Sequence, residues 1–244
     1  MRLLRMHHES GVGHIGGNLS ALDATLFLHQ QVMEAGDSFV LAKGHSIGAL
    51  YVTLWLTGEL SDAQLKDFHG EGSKLAGHPV PGWTPGIPVA MGSLGHGLPV
   101  ACGMALAGRF NGHSGRVFCL TSDGEWQEGS NWEALIFARH QRLENLTVLV
   151  DANGLQGFGN TSEVASMDDL GARLRAFDVS VTELDGHDPA ALHDALVDAG
   201  PGLRVLLLHT VKGKGVSFME NEMKWHYLPL DAELYARAVR ELEN

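Results

Sequence analysis

The chain has 244 residues, of which 44% are hydrophobic, and its 17 basic and 29 acidic residues give a formal net charge of −12. This length and apolar content favour one large domain over 1–244 rather than two small ones. The acidic balance disfavours nucleic-acid binding, since proteins that bind a phosphate backbone usually present a basic face. No apolar run approaches the roughly 20 residues that a membrane span needs.

The first residues and the cysteines bear on the cellular compartment. The chain turns polar at His7, before any apolar stretch long enough for a signal peptide has formed. Cys102 and Cys119 both stand among apolar residues, which is typical of reduced core cysteines rather than of a disulfide. We therefore predict a cytoplasmic protein with no membrane partner.

Helical and strand-like segments alternate along the chain. Capping-box patterns at Ser20-Ala-Leu-Asp23 and Ser61-Asp-Ala-Gln64 predict two helix starts. The segment 70–95 is rich in Gly and Pro and is predicted to be a long ordered loop, a type that is usually functional. The predicted helices cover 20–32, a short segment after Ser61, 96–109, 130–142, 167–177, 189–199 and 231–242. The predicted strands cover 39–42, 117–121, 146–150, 179–182 and 204–209.

The predicted strands of the second half are continuous apolar runs rather than alternating ones. Such runs indicate burial on both faces of a sheet. Strands of this type that alternate with helices indicate a parallel, doubly wound sheet. The predicted fold class is therefore α/β, with a doubly wound, mostly parallel sheet flanked by helices.

Two polar segments, Ser122-Asp-Gly-Glu and Asp151-Ala-Asn-Gly, follow neighbouring predicted strands. Asp123 and Asn153 are therefore expected together at the carboxyl edge, where doubly wound sheets bind ligands. One carboxylate and one amide oxygen suit Mg²⁺, which completes its octahedron with phosphate and water. Gly124 lets the backbone approach a phosphate. The residues alone leave a second interpretation open, in which Asp-Gly and Asn-Gly are simple turns.

Six segments in a fixed order make the pattern more specific. They are Gly13-His14-Ile-Gly-Gly17, Lys43-Gly44-His45, Ala76-Gly77-His78-Pro79, Gly92-Ser-Leu-Gly95, the stretch from Asp123 through Gln127-Glu128-Gly129 to Asn153, and Lys212-Gly-Lys-Gly215 through Trp225-His226. Together they resemble the thiamine-diphosphate-binding part of the transketolase family over essentially the whole chain. The family usually has Gly-Asp-Gly at the metal ligand, so Ser122 is a departure that precedes the ligand.

The resemblance implies the diphosphate-binding module of the thiamine-diphosphate-binding fold. Its cofactors are thiamine diphosphate and Mg²⁺, with Ca²⁺ or Mn²⁺ as substitutes for the metal. The implied metal ligands are Asp123, Asn153 and the carbonyl group of Leu155. The implied cofactor-binding residues are His45, Gly92, Leu94, Gly124, Glu128, Asn153 and His226. The implied catalytic residues, which surround the hydroxyl and carbonyl groups of a ketose, are His14, His78, His226 and Lys212.

Imidazoles suit this task because they exchange protons near neutral pH and stabilise a developing alkoxide. By the same resemblance, Glu128 also lies at a subunit interface, and His96 stands where transketolases often have Gln. A zinc site is the alternative for a chain with 14 histidines, but His-Glu-x-x-His and paired cysteines are missing from the sequence. The histidines interpreted as surface or packing residues include His7, His8, His29, His69, His113, His140 and His193.

In transketolases a second, pyrimidine-binding module supplies the glutamate that activates the cofactor. We find no such module within 1–244 and expect it on a partner chain, a C-terminal transketolase subunit. Two copies of each chain would form a heterotetramer. The predicted function is transfer of a two-carbon ketol unit from a ketose or its phosphate, both small-molecule sugars, to an aldehyde acceptor. The alternatives are a subunit that decarboxylates α-keto acids and a non-catalytic subunit that binds the cofactor.

Overall fold

The computed structural model describes residues 1–197 and 202–243. Within these ranges the α-helices are α1 (Arg2–Ser10), α2 (Ile15–Phe27), α3 (Ile47–Leu56), α4 (Asp62–Lys66), α5 (Gly97–Phe110), α6 (Gly129–Gln141), α7 (Thr161–Ala165), α8 (Leu170–Arg175), α9 (Pro189–Leu196) and α10 (Ala232–Glu243). The strands are β1 (Ser38–Leu41), β2 (Val117–Ser122), β3 (Leu146–Ala152), β4 (Leu155–Gln156), β5 (Gly159–Asn160), β6 (Ser180–Asp185) and β7 (Arg204–His209). A π-helical turn covers Leu28–Val32, and 3-10 turns cover Gly44–Ser46, Gly124–Gln127 and Met223–His226.

The main sheet of the described residues is parallel and has the strand order β1-β2-β3-β7-β6. The short strands β4 and β5 form a separate antiparallel pair. Strands β2, β3 and β7 consist mainly of buried residues, as their apolar runs predicted. The sheet therefore confirms the predicted α/β class.

Successive strand residues contribute to two separate cores, one on each face of the sheet. Phe118 and Leu120 of β2 pack in the first core with residues of α1, α2, α3, α9 and α10. Val117 and Cys119 pack in the second core with residues of α5, α6 and α8. Helices thus cover both faces, which explains why the central strands are apolar throughout. Both cysteines, Cys102 and Cys119, are buried and unpaired, as predicted.

Strand β6 departs from the prediction of burial on both faces. It lies at the edge of the sheet, pairs with β7, and alternates between half-buried and exposed residues. The prediction is wrong here because an edge strand has a neighbour on one side. β6 also runs to Asp185, three residues past the predicted end.

The prediction that Ser20 caps a helix is wrong. Helix α2 begins at Ile15, and its N-cap is His14, whose backbone is left-handed with φ 66°. Ser20 lies buried inside the helix, where its hydroxyl contacts the Gly17 carbonyl and the Asp151 carboxylate. The capping box at Ser61 is confirmed, since the side chains and backbone amides of Ser61 and Gln64 hydrogen-bond reciprocally.

Several helix bounds differ from the predicted ones. Helix α3 was not predicted, because it is apolar on every side and has no helical periodicity to detect. Helix α1 was also missed. The predicted helix 167–177 shortens to α8, and α7 precedes it as a separate element. Of the predicted helix 189–199, residues 198–199 lie outside the described residues.

The long segment 70–95 contains turns and bends but neither helix nor strand, as predicted. Among the described residues, no helix is both long enough and apolar enough to span a membrane.

Candidate active site

A cleft of about 370 Å³ opens beyond the carboxyl ends of β2 and β3. Asp123 directly follows β2, and Asn153 directly follows β3, because Ser122 and Asp151 are register partners in these neighbouring strands. The structure therefore brings the two residues together at the expected edge of the sheet. The predicted site residues that line the cleft are His45, Leu94, Asp123, Gly124, Glu128, Asn153, Leu155, Lys212 and His226.

The Asp123 carboxylate is buried and held by backbone amides. Its Oδ1 accepts a hydrogen bond from the Gly124 N–H at 2.8 Å, and its Oδ2 accepts one from the Gly154 N–H at 2.7 Å. Burial and the nearby Asp151 raise the pKa of Asp123 to about 6, although these amide hydrogen bonds oppose the increase. A buried carboxylate near a second acid is well suited to receive a cation.

Asn153 and Leu155 complete the predicted ligand set. The Asn153 Nδ2 lies 3.3 Å from both Ser20 Oγ and Asp151 Oδ2, and its Oδ1 accepts from the Leu155 N–H at 3.1 Å. The Leu155 carbonyl accepts a hydrogen bond from Lys212 Nζ at 3.1 Å. A cation at this carbonyl would therefore lie close to the Lys212 ammonium group.

The donors present fit a hard cation with a diphosphate ligand. Carboxylate, amide and carbonyl oxygens are the ligands that Mg²⁺ prefers, and a few of them suffice when phosphate supplies the rest. The cleft also contains a buried acceptor without a partner, Gln156 Oε1, which a bound ligand or its water could satisfy. Among the described residues, no group of three His, Cys, Asp or Glu side chains could hold a metal.

Four histidines from distant segments converge beside this cleft. The ring centroid of His14 lies 5.3 Å from that of His45, 5.0 Å from that of His226 and 6.5 Å from that of His78. The rings of His45 and His226 are 5.2 Å apart. The structure therefore brings together the histidines that the sequence analysis selected.

These histidines are neutral at pH 7. Burial and Lys212 lower the pKa of His226 to about 3, and burial with Lys43 lowers the pKa of His45 well below its usual value. Burial also lowers the pKa of His14 and of His78. Their rings can therefore both donate and accept hydrogen bonds at a substrate oxygen.

Lys212 fixes the tautomer of His226. Its Nζ lies 3.0 Å from His226 Nδ1, and burial, with Lys43 nearby, lowers the pKa of Lys212 to about 8, which leaves it mostly protonated at pH 7. The ammonium group donates, so Nδ1 accepts and the His226 proton resides on Nε2. The other ring nitrogen of His226 is thus available as a donor.

The backbone around His14 is tied down from several sides. Its amide donates to the His226 carbonyl at 3.1 Å, and its carbonyl accepts from Asn18 Nδ2 at 2.8 Å. Asn18 Nδ2 also lies 3.2 Å from the His45 carbonyl. At Gly13 a Cβ would lie 2.3 Å from the Tyr227 carbonyl, so only glycine fits next to His14. Asn18 was not selected from the sequence, because its partners are known only from the fold.

Gly92, Leu94 and Glu128 lie on loops around the cleft. A Cβ at Gly92 would be 3.7 Å from the His78 ring, while Leu94 is part of the cleft wall. Glu128 packs against Gly95, whose φ of +80° and close contact with the Glu128 side chain both require glycine. His96 is exposed and its ring lies 3.1 Å from the Leu94 carbonyl.

Sequence reasoning also missed a buried ion pair under the cleft. Lys43 and Asp151 are almost fully buried and form a salt bridge. Both residues stood in motifs that the sequence analysis quoted, but neither was given a role. Their burial as a pair was the missing signal, and it depends on the packing of β1 beside β2 and β3.

A parallel α/β sheet with metal-type oxygen donors and neutral histidines at its carboxyl edge defines a cofactor-dependent enzyme domain. Residues 2–242 match the family described as "Transketolase, thiamine diphosphate binding domain". The chain belongs to the transketolase family.

Similar proteins include separate subunits of about the same length. One named subunit of the apulose-4-phosphate transketolase of Phocaeicola vulgatus is 39% identical, over all of this chain and 90% of that protein. The "6-deoxy-6-sulfo-D-fructose transketolase subunit SqwG" of Clostridium sp. is 36% identical, over 96% of this chain and 90% of that protein.

Full-length transketolases are similar over a part of their length. The solved structure of the transketolase from Leishmania mexicana has a TM-score of 0.90 at 27% identity. The match covers all of this chain and 40% of that one. These findings confirm the predicted family, the fold, thiamine diphosphate as the cofactor, and a transketolase-type transferase.

Proposed function

We propose that this chain is the cofactor-binding subunit of a two-component transketolase, which transfers a two-carbon ketol unit from a ketose or ketose phosphate to an aldehyde. The convergence of His14, His45, His78 and His226 beside the Asp123–Asn153 edge carries this proposal. One end of the site offers oxygen donors for a metal and diphosphate, and the other offers neutral imidazoles for a polyhydroxy substrate.

In this proposal Asp123, Asn153 and the Leu155 carbonyl bind Mg²⁺, and His45, Gly124 and His226 face the diphosphate. Gly92, Leu94 and Glu128 border the rest of the cofactor. When bound, thiamine diphosphate supplies the carbanion chemistry of the reaction.

The histidines handle protons at the substrate oxygens. His226 donates from Nε2, since Lys212 occupies its Nδ1. His14 has a buried Nδ1 without a partner, so this nitrogen is available for a substrate hydroxyl group. His78 is exposed at the entrance, where it can accept or release a proton. A short α-keto acid would leave most of these groups without a partner, so the cluster favours ketol transfer.

The second component is a pyrimidine-binding subunit on another chain. Two relatives bear names that describe each as one subunit of a transketolase, which supports a divided enzyme for those proteins, and this chain aligns with most of their length. We propose a heterotetramer with two copies of each chain, because a two-fold assembly rebuilds two equivalent sites. The unpaired cysteines are consistent with a cytoplasmic location.

The divided-enzyme proposal is tested by purifying this chain alone and assaying it with thiamine diphosphate, Mg²⁺ and a ketose donor. We expect no ketol transfer until the partner is added. The active complex should then have a mass equal to two copies of each chain. Full activity of the chain without any partner would contradict the proposal.

The metal assignment is tested with Asp123→Ala. This change should abolish Mg²⁺-dependent retention of thiamine diphosphate, because it removes the one carboxylate of the ligand set. Calorimetry on the assembled complex measures the affinity, and circular dichroism checks the fold. The exposed Asp168→Ala serves as the matched control and should bind normally. Unchanged cofactor affinity in Asp123→Ala would overturn the assignment.

A further inference from the structure

We propose that the Asp151 carboxylate is a positioning group, which holds the Asn153 amide so that its oxygen faces the metal position. This inference rests on the proposed function, because it assumes a cation at Asn153. Asp151 itself does not line the cleft and is 1% exposed. It therefore acts through Asn153 rather than on a ligand.

Asp151 is the centre of a buried network that joins four elements. Its Oδ2 accepts hydrogen bonds from Lys43 Nζ after β1, from Ser20 Oγ of α2 at 2.6 Å, and from Asn153 Nδ2 at 3.3 Å. Its Oδ1 accepts from Thr210 Oγ1, after β7. The carboxylate is thus saturated by donors on every side.

This saturation selects one orientation of the Asn153 amide. An ionised carboxylate is acceptor-only, so it attracts the amide NH₂ group and repels the amide oxygen. Ser20 Oγ gives its proton to Asp151 and is left as a second acceptor for the same NH₂ group. A reversed amide would place oxygen against oxygen at both contacts. Asn153 Oδ1 is therefore directed away from Asp151, with one partner, the Leu155 N–H.

Lys43 makes the arrangement compatible with burial. A buried carboxylate without a counterion would be costly, and burial by itself raises the pKa of Asp151. Lys43 and the hydroxyl donors outweigh this effect and hold the pKa of Asp151 below its usual value. Lys43 Nζ also donates to the Gly17 carbonyl at 3.2 Å, so its position is fixed by α2 as well.

The main test separates the acceptor from the charge. Both variants carry Lys43→Met, which removes the counterion, and they differ at position 151. Asp151→Asn keeps an amide oxygen that can accept from Asn153, whereas Asp151→Leu removes every acceptor. The half-saturating Mg²⁺ concentration for thiamine diphosphate binding is measured by calorimetry on the chain assembled with its partner.

We expect the leucine variant to need about tenfold more Mg²⁺ or above, the range seen when hydrogen bonds to metal ligands are removed. The asparagine variant should stay within about threefold of the Lys43→Met chain. Equal half-saturating concentrations in the two double variants would overturn the inference. If the wild-type assembly shows no Mg²⁺-dependent binding, the proposed function fails and the inference with it.

A second pair of variants keeps the test decisive if the leucine variant does not fold. Ser20→Ala and Thr210→Val each remove one hydroxyl donor to Asp151, but Ser20 alone also contacts Asn153. Ser20→Ala should weaken Mg²⁺ binding several-fold at an unchanged unfolding midpoint relative to Thr210→Val. Thr210→Val should bind Mg²⁺ like the wild type. Equal Mg²⁺ affinity in these two variants would contradict the proposed role of Asp151.

Discussion

Two groups of buried histidines in this protein have similar electrostatics and different surroundings. Burial lowers the pKa of His7 to about 4 and that of His226, which also lies beside Lys212, to about 3. His7 and His29 lie in the helical layer, while His14, His45 and His226 face the cleft. A lowered pKa is therefore common to both groups and does not identify the site.

The difference lies in how the rings are arranged. His7 is isolated, with its Nδ1 3.2 Å from the Val12 carbonyl and its ring against Phe68. His29 packs edge-on against Phe39. In the cleft, by contrast, the rings approach one another from separate segments and border a volume that a ligand can enter. The comparison teaches that convergence at an accessible cleft, rather than a perturbed pKa, indicates function.

The largest effect should come from the titration of His7. Its folded pKa of about 4 lies below the value of 6.5 expected in the unfolded chain. The unfolded state therefore binds more protons between these values, and stability falls as the pH drops from 6.5 to 4. At about 1.36 kcal/mol per pKa unit, His7 accounts for a loss of about 3 kcal/mol.

Chemical denaturation at several pH values measures this loss. In His7→Gln, position 7 no longer titrates, so the slope of stability against pH should become shallower by about one proton in this window. The exposed His140→Gln should retain the wild-type slope. An unchanged slope in His7→Gln would mean that His7 is solvated in the folded protein.

A slightly smaller effect, confined to turnover, is expected at His78. His78→Ala should lower the turnover of a ketose donor by about 10²-fold, the usual range for a positioned acid–base group. That factor corresponds to about 2.7 kcal/mol in the activation barrier. Cofactor affinity and the unfolding midpoint should remain at wild-type values, because the side chain is exposed.

Steady-state kinetics on the assembled enzyme measure this change, with the exposed His113→Ala as the control. Unaltered kinetics in His78→Ala would assign His78 to the loop structure and reduce the functional cluster to His14, His45 and His226.

The sequence predicted what is local or repeated in a family pattern. Continuous apolar runs located β2, β3 and β7, and the motif spacing located Asp123 and Asn153 at the sheet edge. The start of α2 was missed, because His14 enters it in a left-handed conformation without a side-chain cap. The α3 helix was missed because its buried position removes the amphipathic pattern.

The buried network could not be predicted for a different reason. Ser20, Lys43 and Thr210 lie 131, 108 and 59 residues from Asp151 along the chain. Only the packing of four elements brings them together. Ser20 illustrates the difficulty, since its sequence context favoured a helix cap while its hydroxyl is needed in the interior. The motifs thus located the groups at the cleft surface, and the fold was needed to find what holds them.

The smallest effect is expected at His29, which should contribute to stability alone. Its Nδ1 lies 2.8 Å from the Thr25 carbonyl, and its ring centroid is 4.9 Å from that of Phe39. His29→Phe keeps an aromatic ring and loses the hydrogen bond, whereas His29→Gln keeps a donor and loses the ring. Each should lower the free energy of unfolding by about 1 kcal/mol, the usual net value of one such contact. Turnover and Mg²⁺ affinity should not change, because His29 does not line the active-site cleft. A drop in turnover at full stability would place His29 with the functional histidines and remove the distinction between the two groups.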